Sequence, residues 1–190
     1  MNQFPLTSLA QRSSAMGHVA AVEPRTYRAY TLRNYRSIPQ IAALPSAWQE
    51  AIEVVGRVLP FKTNNYVVEE LIDWSSVPDD PIFVLNFPQP GMLRPEHYER
   101  VRESLRRHGP ESEELERVVR EVRLELNPHP AGQMEHNVPH LYGERLAGMQ
   151  HKYRETVLFF PSNGQTCHAY CTFCFRWPQF VGDQSLKFAM

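Results

Sequence analysis

The sequence predicts an α/β chain in which a run of amphipathic helices leads into a short buried strand and a cysteine loop. Three observations carry this. Apolar residues recur at helical spacing between positions 46 and 126. Thr156-Val157-Leu158-Phe159-Phe160 is a β-branched and aromatic run ended by Pro161-Ser162-Asn163-Gly164, as a strand would be. All three cysteines lie just beyond that run, at Cys167, Cys171 and Cys174, and parallel α/β folds place their active sites beyond the C-terminal ends of strands.

Taken in order, residues 1–37 are rich in Ser, Ala and Arg, with Glu23 as the only acid and no sustained periodicity, so they read as a flexible extension. An acid-poor start bearing arginines also suits a transit peptide, but tails of this composition are common. Residues 38–150 read as a helical region. Trp48, Ala51, Ile52, Val55, Val58 and Leu59 share a helical face, with Pro45 before them and Pro60 as a stop. A shorter helix is expected from about Asn65, carrying Val67, Val68, Leu71 and Ile72, and ending in the Pro- and Asp-rich run 77–81. A loop is then expected through Pro88 and Pro90.

The next helix has Pro95 in its first turn, Glu96 and Glu99 early, Arg106, Arg107 and His108 late, and Gly109 after its end. Those arginines complement the helix dipole on a solvated face, which accounts for them better than a basic binding patch does. A further helix carries Leu115, Val118, Val119, Val122 and Leu126 and closes at Asn127-Pro128. His129, His136 and His140 raise the question of a metal site, but their spacing is irregular and Pro139 breaks the helix that would align the last two.

Charge and composition exclude some functions. Lys+Arg 20 against Asp+Glu 21 leaves no field to recruit nucleic acid or anionic lipid. No apolar run approaches the roughly 18 residues of a membrane helix. Three clustered cysteines do not form a disulfide framework. A soluble cytoplasmic protein in a reducing compartment is expected.

The cysteines carry the chemistry. Thiolates are soft ligands suited to iron–sulfur clusters, zinc or copper(I). Structural zinc wants four protein ligands, and the chain has no fourth cysteine; His168 adjoins a ligand and is poorly placed to close the tetrahedron. A four-iron cluster held by three cysteines instead keeps one iron open for a small molecule. A zinc-binding or regulatory module without radical chemistry remains the alternative.

The spacing Cys167-x3-Cys171-x2-Cys174, with Phe173 before the last cysteine and a strand ahead, resembles the radical S-adenosylmethionine (SAM) superfamily. The context is similar to the lysine 2,3-aminomutase family over roughly residues 61–180, through Phe61-Lys62-Thr63, Leu71-Ile72-Asp73, Asp80-Pro81 and His151-Lys152-Tyr153. The resemblance implies a [4Fe-4S] cluster on the three cysteines, and SAM bound at the open iron through its amino and carboxylate groups. It further implies a 5′-deoxyadenosyl radical that starts a 1,2-amino migration on an amino acid, with pyridoxal phosphate (PLP) as partner cofactor.

Residue by residue, it places Phe173 near the SAM adenine, a position equally compatible with an aromatic packed under the loop. It places Arg176 on the substrate α-carboxylate, where a planar guanidinium binds in bidentate fashion; a loop arginine paired to an acid is the other reading. Lys152 and Tyr153 stand where the family contacts the PLP phosphate, although Thr156 occupies the position of a second arginine and Arg154 that of a proline. The family's PLP lysine, glycine-rich SAM segments and substrate-selecting acids would lie beyond Met190, so no catalytic residue is expected here outside the cluster loop. A full (β/α) barrel needs on the order of 200 residues. Residues 151–190 are therefore expected to be the start of a partial barrel, and the chain an N-terminal part that is inactive alone. An electron donor such as flavodoxin or ferredoxin, and a homo-oligomer of the complete enzyme, go with the resemblance.

Overall fold

The computed structural model describes residues 26–126, 136–160, 167, 169–171 and 177–181. Their architecture is a mixed one of helices and short antiparallel strand pairs. Strand β1 (Ala29–Tyr30) pairs with β2 (Thr63–Asn64), and the Asn65 side chain ties the Arg28 N–H at 2.9 Å. A 3-10 turn (Tyr35–Ser37) and the short helix α1 (Pro39–Ala42) follow β1. Tyr30, Tyr35 and Ile38 are buried. The extension expected up to residue 37 is thus packed from Tyr30 onward. Tyr30 and Tyr35 sit in a two-residue strand and a single 3-10 turn, elements too short for a periodicity that would announce burial.

Helix α2 (Ser46–Val58) is the central element and ends where Leu59 turns extended ahead of Pro60. One side of it gives Ile52 to a core with Tyr35, Phe61, Phe83 and Phe87. Its other side gives Val54, Val55 and Val58 to a second core with Val101, Leu115 and Val122. Gly56 in mid-helix would cost about 1 kcal/mol relative to Ala. Its reason is close approach: a Cβ there would stand 2.8 Å from Leu32 Cδ2. Arg123 closes the C-terminal end of α2, donating to the carbonyls of Arg57 (2.6 Å) and Val58 (2.9 Å), a favourable place for a cation.

The helix expected from Asn65 forms, its later part a wide π turn over Val67–Leu71 that closes with Ile72 N–H on the Val67 carbonyl. The loop expected beyond Pro81 is instead helix α3 (Pro81–Asn86). Asp80 is its N-cap, accepting from Phe83 N–H at 2.7 Å, and Pro81 takes the first position, where its missing N–H costs nothing. The second Asp80 oxygen accepts from Asp73 N–H at 3.2 Å. Phe83 and Phe87 stack at 4.8 Å, and Trp74 meets Phe83 edge-on at 5.8 Å.

Helices α4 (Pro95–His108) and α5 (Glu113–Leu126) form with the ends expected, Gly109 taking the left-handed conformation at φ 84°. The start of α4 is clasped to the end of α5, with Arg100 on Glu121 and Glu125 and the His97 ring nitrogen 3.0 Å from Glu125. The Arg100 bond is the chief cause holding the Glu125 carboxyl below the usual carboxylate range.

Beyond the helices, β3 (His140–Leu141) and β4 (Glu144–Arg145) make a tight hairpin with positive φ at Tyr142 and Gly143. A second hairpin joins β5 (Met149–Tyr153) to β6 (Thr156–Phe159), with Gln150 opposite Leu158. Within the region 38–150, α5 is the last helix described over its whole length, and the end of the region is strand. The strand expected over the 156–160 run is present, but not buried: Phe159 is 68% exposed. It pairs antiparallel with β5 through a local two-residue turn, and among the described residues no other strand pairs with it. The described residues form no closed barrel and no parallel strand pair. Among them, no helix is long and apolar enough to cross a membrane.

Two outcomes follow. Asp80→Ala removes the α3 cap and the Asp73 tie together and is expected to cost about 1–3 kcal/mol in urea unfolding, with Asp80→Asn losing less. The fully buried Tyr35 donates its O–H to Glu53 at 2.8 Å, and its phenol is raised above the ordinary tyrosine range, first by burial and then by Glu53. A folded pKa above the unfolded value leaves stability intact below about pH 10 and removes it as pH rises further, because the unfolded chain ionises first. Tyr35→Phe should therefore be about 1–2 kcal/mol less stable at neutral pH, and the gap to the wild type should narrow in unfolding titrations above about pH 10.

Candidate metal centre

The cysteine loop is seated on α3. A helix leaves its last four carbonyls without intrahelical donors; here the Leu85 carbonyl accepts from Tyr170 N–H at 2.7 Å. Tyr170 lies between Cys167 and Cys171 in sequence, so this one bond fixes the segment that carries both thiols. The Cys167 thiol is half-buried and donates to the Ala169 carbonyl at 3.2 Å, whereas Cys171 is exposed.

Cys167, Tyr170 and Cys171 line one hollow of about 380 Å³. Its remaining walls are Leu59 and Pro60 from the end of α2, Val84 from α3, Met92, Ala169, and Trp177 and Phe180 at the short turn Trp177–Gln179. The lining is largely apolar. The Tyr170 hydroxyl oxygen is shielded from solvent and has no hydrogen-bond partner among the described residues. Burial raises its pKa above the ordinary tyrosine range, and the negative charge of a Cys167 thiolate raises it further.

Two of the three expected metal ligands thus line a shared space with largely apolar walls, and soft donors so placed fit a thiolate-held metal centre. Cys174, Phe173, Arg176 and His168 lie outside the described residues. Among the described residues no three His, Cys, Asp or Glu side chains converge on a metal-sized site. His136 and His140 are both exposed, and His129 lies outside the described residues.

Lys152 and Tyr153 belong to β5, and Tyr153 is 56% exposed. Tyr153 is not among the residues that line the cysteine hollow. Sequence reasoning missed the wall of the hollow entirely. The Asp80-Pro81 pair, a cap followed by a first-turn proline, was the available signal for α3; nothing local marks Leu59, Met92 or Tyr170 as neighbours of the thiols.

No protein-family model, no curated protein and no solved structure matches this chain.

In the metal-free chain, the exposed Cys171 is expected to alkylate several-fold faster than Cys167, whose thiol is half-buried and hydrogen-bonded. Peptide mapping after timed iodoacetamide treatment measures the two rates; faster labelling of Cys167 would contradict this placement.

Proposed function

We propose that this chain carries the cluster loop of a radical SAM enzyme of the lysine 2,3-aminomutase kind, an isomerase that moves an amino group between neighbouring carbons of an amino acid. The observation that carries the reading is the set Cys167-x3-Cys171-x2-Cys174 with Phe173 before its last member. The shared hollow at Cys167 and Cys171 supports it, since one compact centre needs its ligands to face one space.

In this reading the three cysteines hold the cluster, and the apolar walls from α2 and α3 keep water from one side of it. A cluster of this type, with SAM bound, would supply one-electron chemistry and the means of abstracting hydrogen from the substrate. Phe173 would meet the adenine, and Arg176 would hold the substrate carboxylate with its planar fork. Lys152 and Tyr153 would serve the PLP phosphate. The exposed side chains of β6 are in keeping with further strands covering them. Flavodoxin or ferredoxin would deliver the electron.

Anaerobic reconstitution with iron and sulfide tests the reading. The wild-type chain is expected to become brown and oxygen-sensitive, and each of Cys167→Ser, Cys171→Ser and Cys174→Ser to lose its iron, because two thiolates are too few to hold the cluster. A colourless chain holding zinc would turn the reading to a metal-binding module, and a single mutant retaining full iron and sulfide would sink the ligand set.

A further inference from the structure

A second hollow, of about 940 Å³, lies between the turn after β1, the end of α2 and α5. Leu32, Leu115 and Val119 give it an apolar lining, to which Gly56 adds no side chain. Its charged lining is five arginines against two acids, Glu113 and Glu116. Three of the arginines are fixed by the fold. Arg57 is held by Glu53 and the Pro110 carbonyl, Arg123 by the carbonyls of Arg57 and Val58, and Arg117 by Glu114 and Glu121. The other two, Arg33 in the turn after β1 and Arg120 in mid-α5, are exposed, and among the described residues neither guanidinium has a hydrogen-bond or ion-pair partner. Arg117, Arg120 and Arg123 follow at three-residue spacing, so like charges neighbour one another along one side of α5. Glu113 and Glu116 stand in the first turn of α5, where the helix N-terminus suits them, and among the described residues neither is paired with an arginine.

We propose that this hollow binds a phosphate monoester with an apolar or aromatic body, Arg33 and Arg120 donating to the phosphate and the apolar lining receiving the body. A carboxylate is satisfied by one bidentate guanidinium. A phosphate offers three strong acceptor oxygens and close to two negative charges, enough for two planar forks. A hollow of this volume is of the size that takes a small molecule. The near-neutral balance of the whole chain is no obstacle, because the attraction acts within a screening length of about 8–10 Å. The site owes nothing to the cysteines, and its test needs no metal.

Isothermal titration calorimetry of the full chain at low ionic strength tests this, with inorganic phosphate, phenyl phosphate and benzoate as probes. Phenyl phosphate is expected to bind about tenfold more tightly than inorganic phosphate, because its ring is buried against the apolar lining. Benzoate, which keeps the ring and has only one carboxylate, is expected to bind about tenfold more weakly than phenyl phosphate. Arg33→Gln and Arg120→Gln should each lower the phenyl phosphate affinity about tenfold. Both side chains are exposed and unbonded among the described residues, so these variants stay folded. Arg106→Gln, on α4 and outside the lining, should leave the affinity unchanged. A wild-type chain that binds no phenyl phosphate overturns the proposal, as does wild-type affinity in either Arg33→Gln or Arg120→Gln. An equal loss in Arg106→Gln also overturns it, since the attraction would then belong to the surface at large. Benzoate binding as tightly as phenyl phosphate overturns it in favour of a carboxylate site.

Discussion

The Asp80 carboxylate ties together parts of the chain that have little else in common. One oxygen starts α3 by capping Phe83 N–H, and the other holds the turn at Asp73. Starting the helix there sets Phe83 and Phe87 one turn apart, stacked in the larger core. It also sets where α3 stops, and so where the Leu85 carbonyl is left to receive Tyr170. A six-residue helix is too short to stand on propensity. The buried aromatic rings and the cap hold it, and it in turn seats the thiols.

The two cores share α2 as a wall, and the end of α2 is tied from more than one direction. Arg57 is paired with Glu53 at 2.6 Å and reaches the Pro110 carbonyl at 2.8 Å, while Arg123 caps the same turn from α5. The Arg123 bonds are partly buried and use main-chain acceptors. The arginines along the outer side of α5 differ: Arg117 is paired with Glu114 and Glu121, but in water such pairs contribute little. The apolar stripe beneath, including Leu115, Val119 and Val122, is what holds α5 in place.

Helices with a strong period and marked ends were legible in the sequence, as α2, α4 and α5 show, because burial of one face is written at 3.6-residue spacing. Tyr30 and Tyr35 were not legible: an irregular segment buries its residues by tertiary contact and leaves no period. The 156–160 run was read correctly as strand and wrongly as buried, since β-branched and aromatic content reports extended backbone and says nothing of what lies on top of it. At the candidate site, the ligand spacing is a property of sequence. The hollow is built from α2, α3 and the 92 and 177–180 segments, a convergence that no local pattern encodes.

The contact between Gly56 and Leu32 makes the two positions mutually dependent. Any side chain at 56 must displace the far end of Leu32, which stands only 2.8 Å from where its Cβ would be. A larger residue at 56 is thus compatible with this packing when position 32 shrinks or turns aside, and a bulkier residue at 32 demands that 56 stay bare. Among homologous sequences the two sites would vary as a correlated pair, one inside a regular helix and the other in the irregular segment ahead of it. That correlation would register the docking of the 26–38 segment on α2 in a region where neither helical nor strand periodicity does.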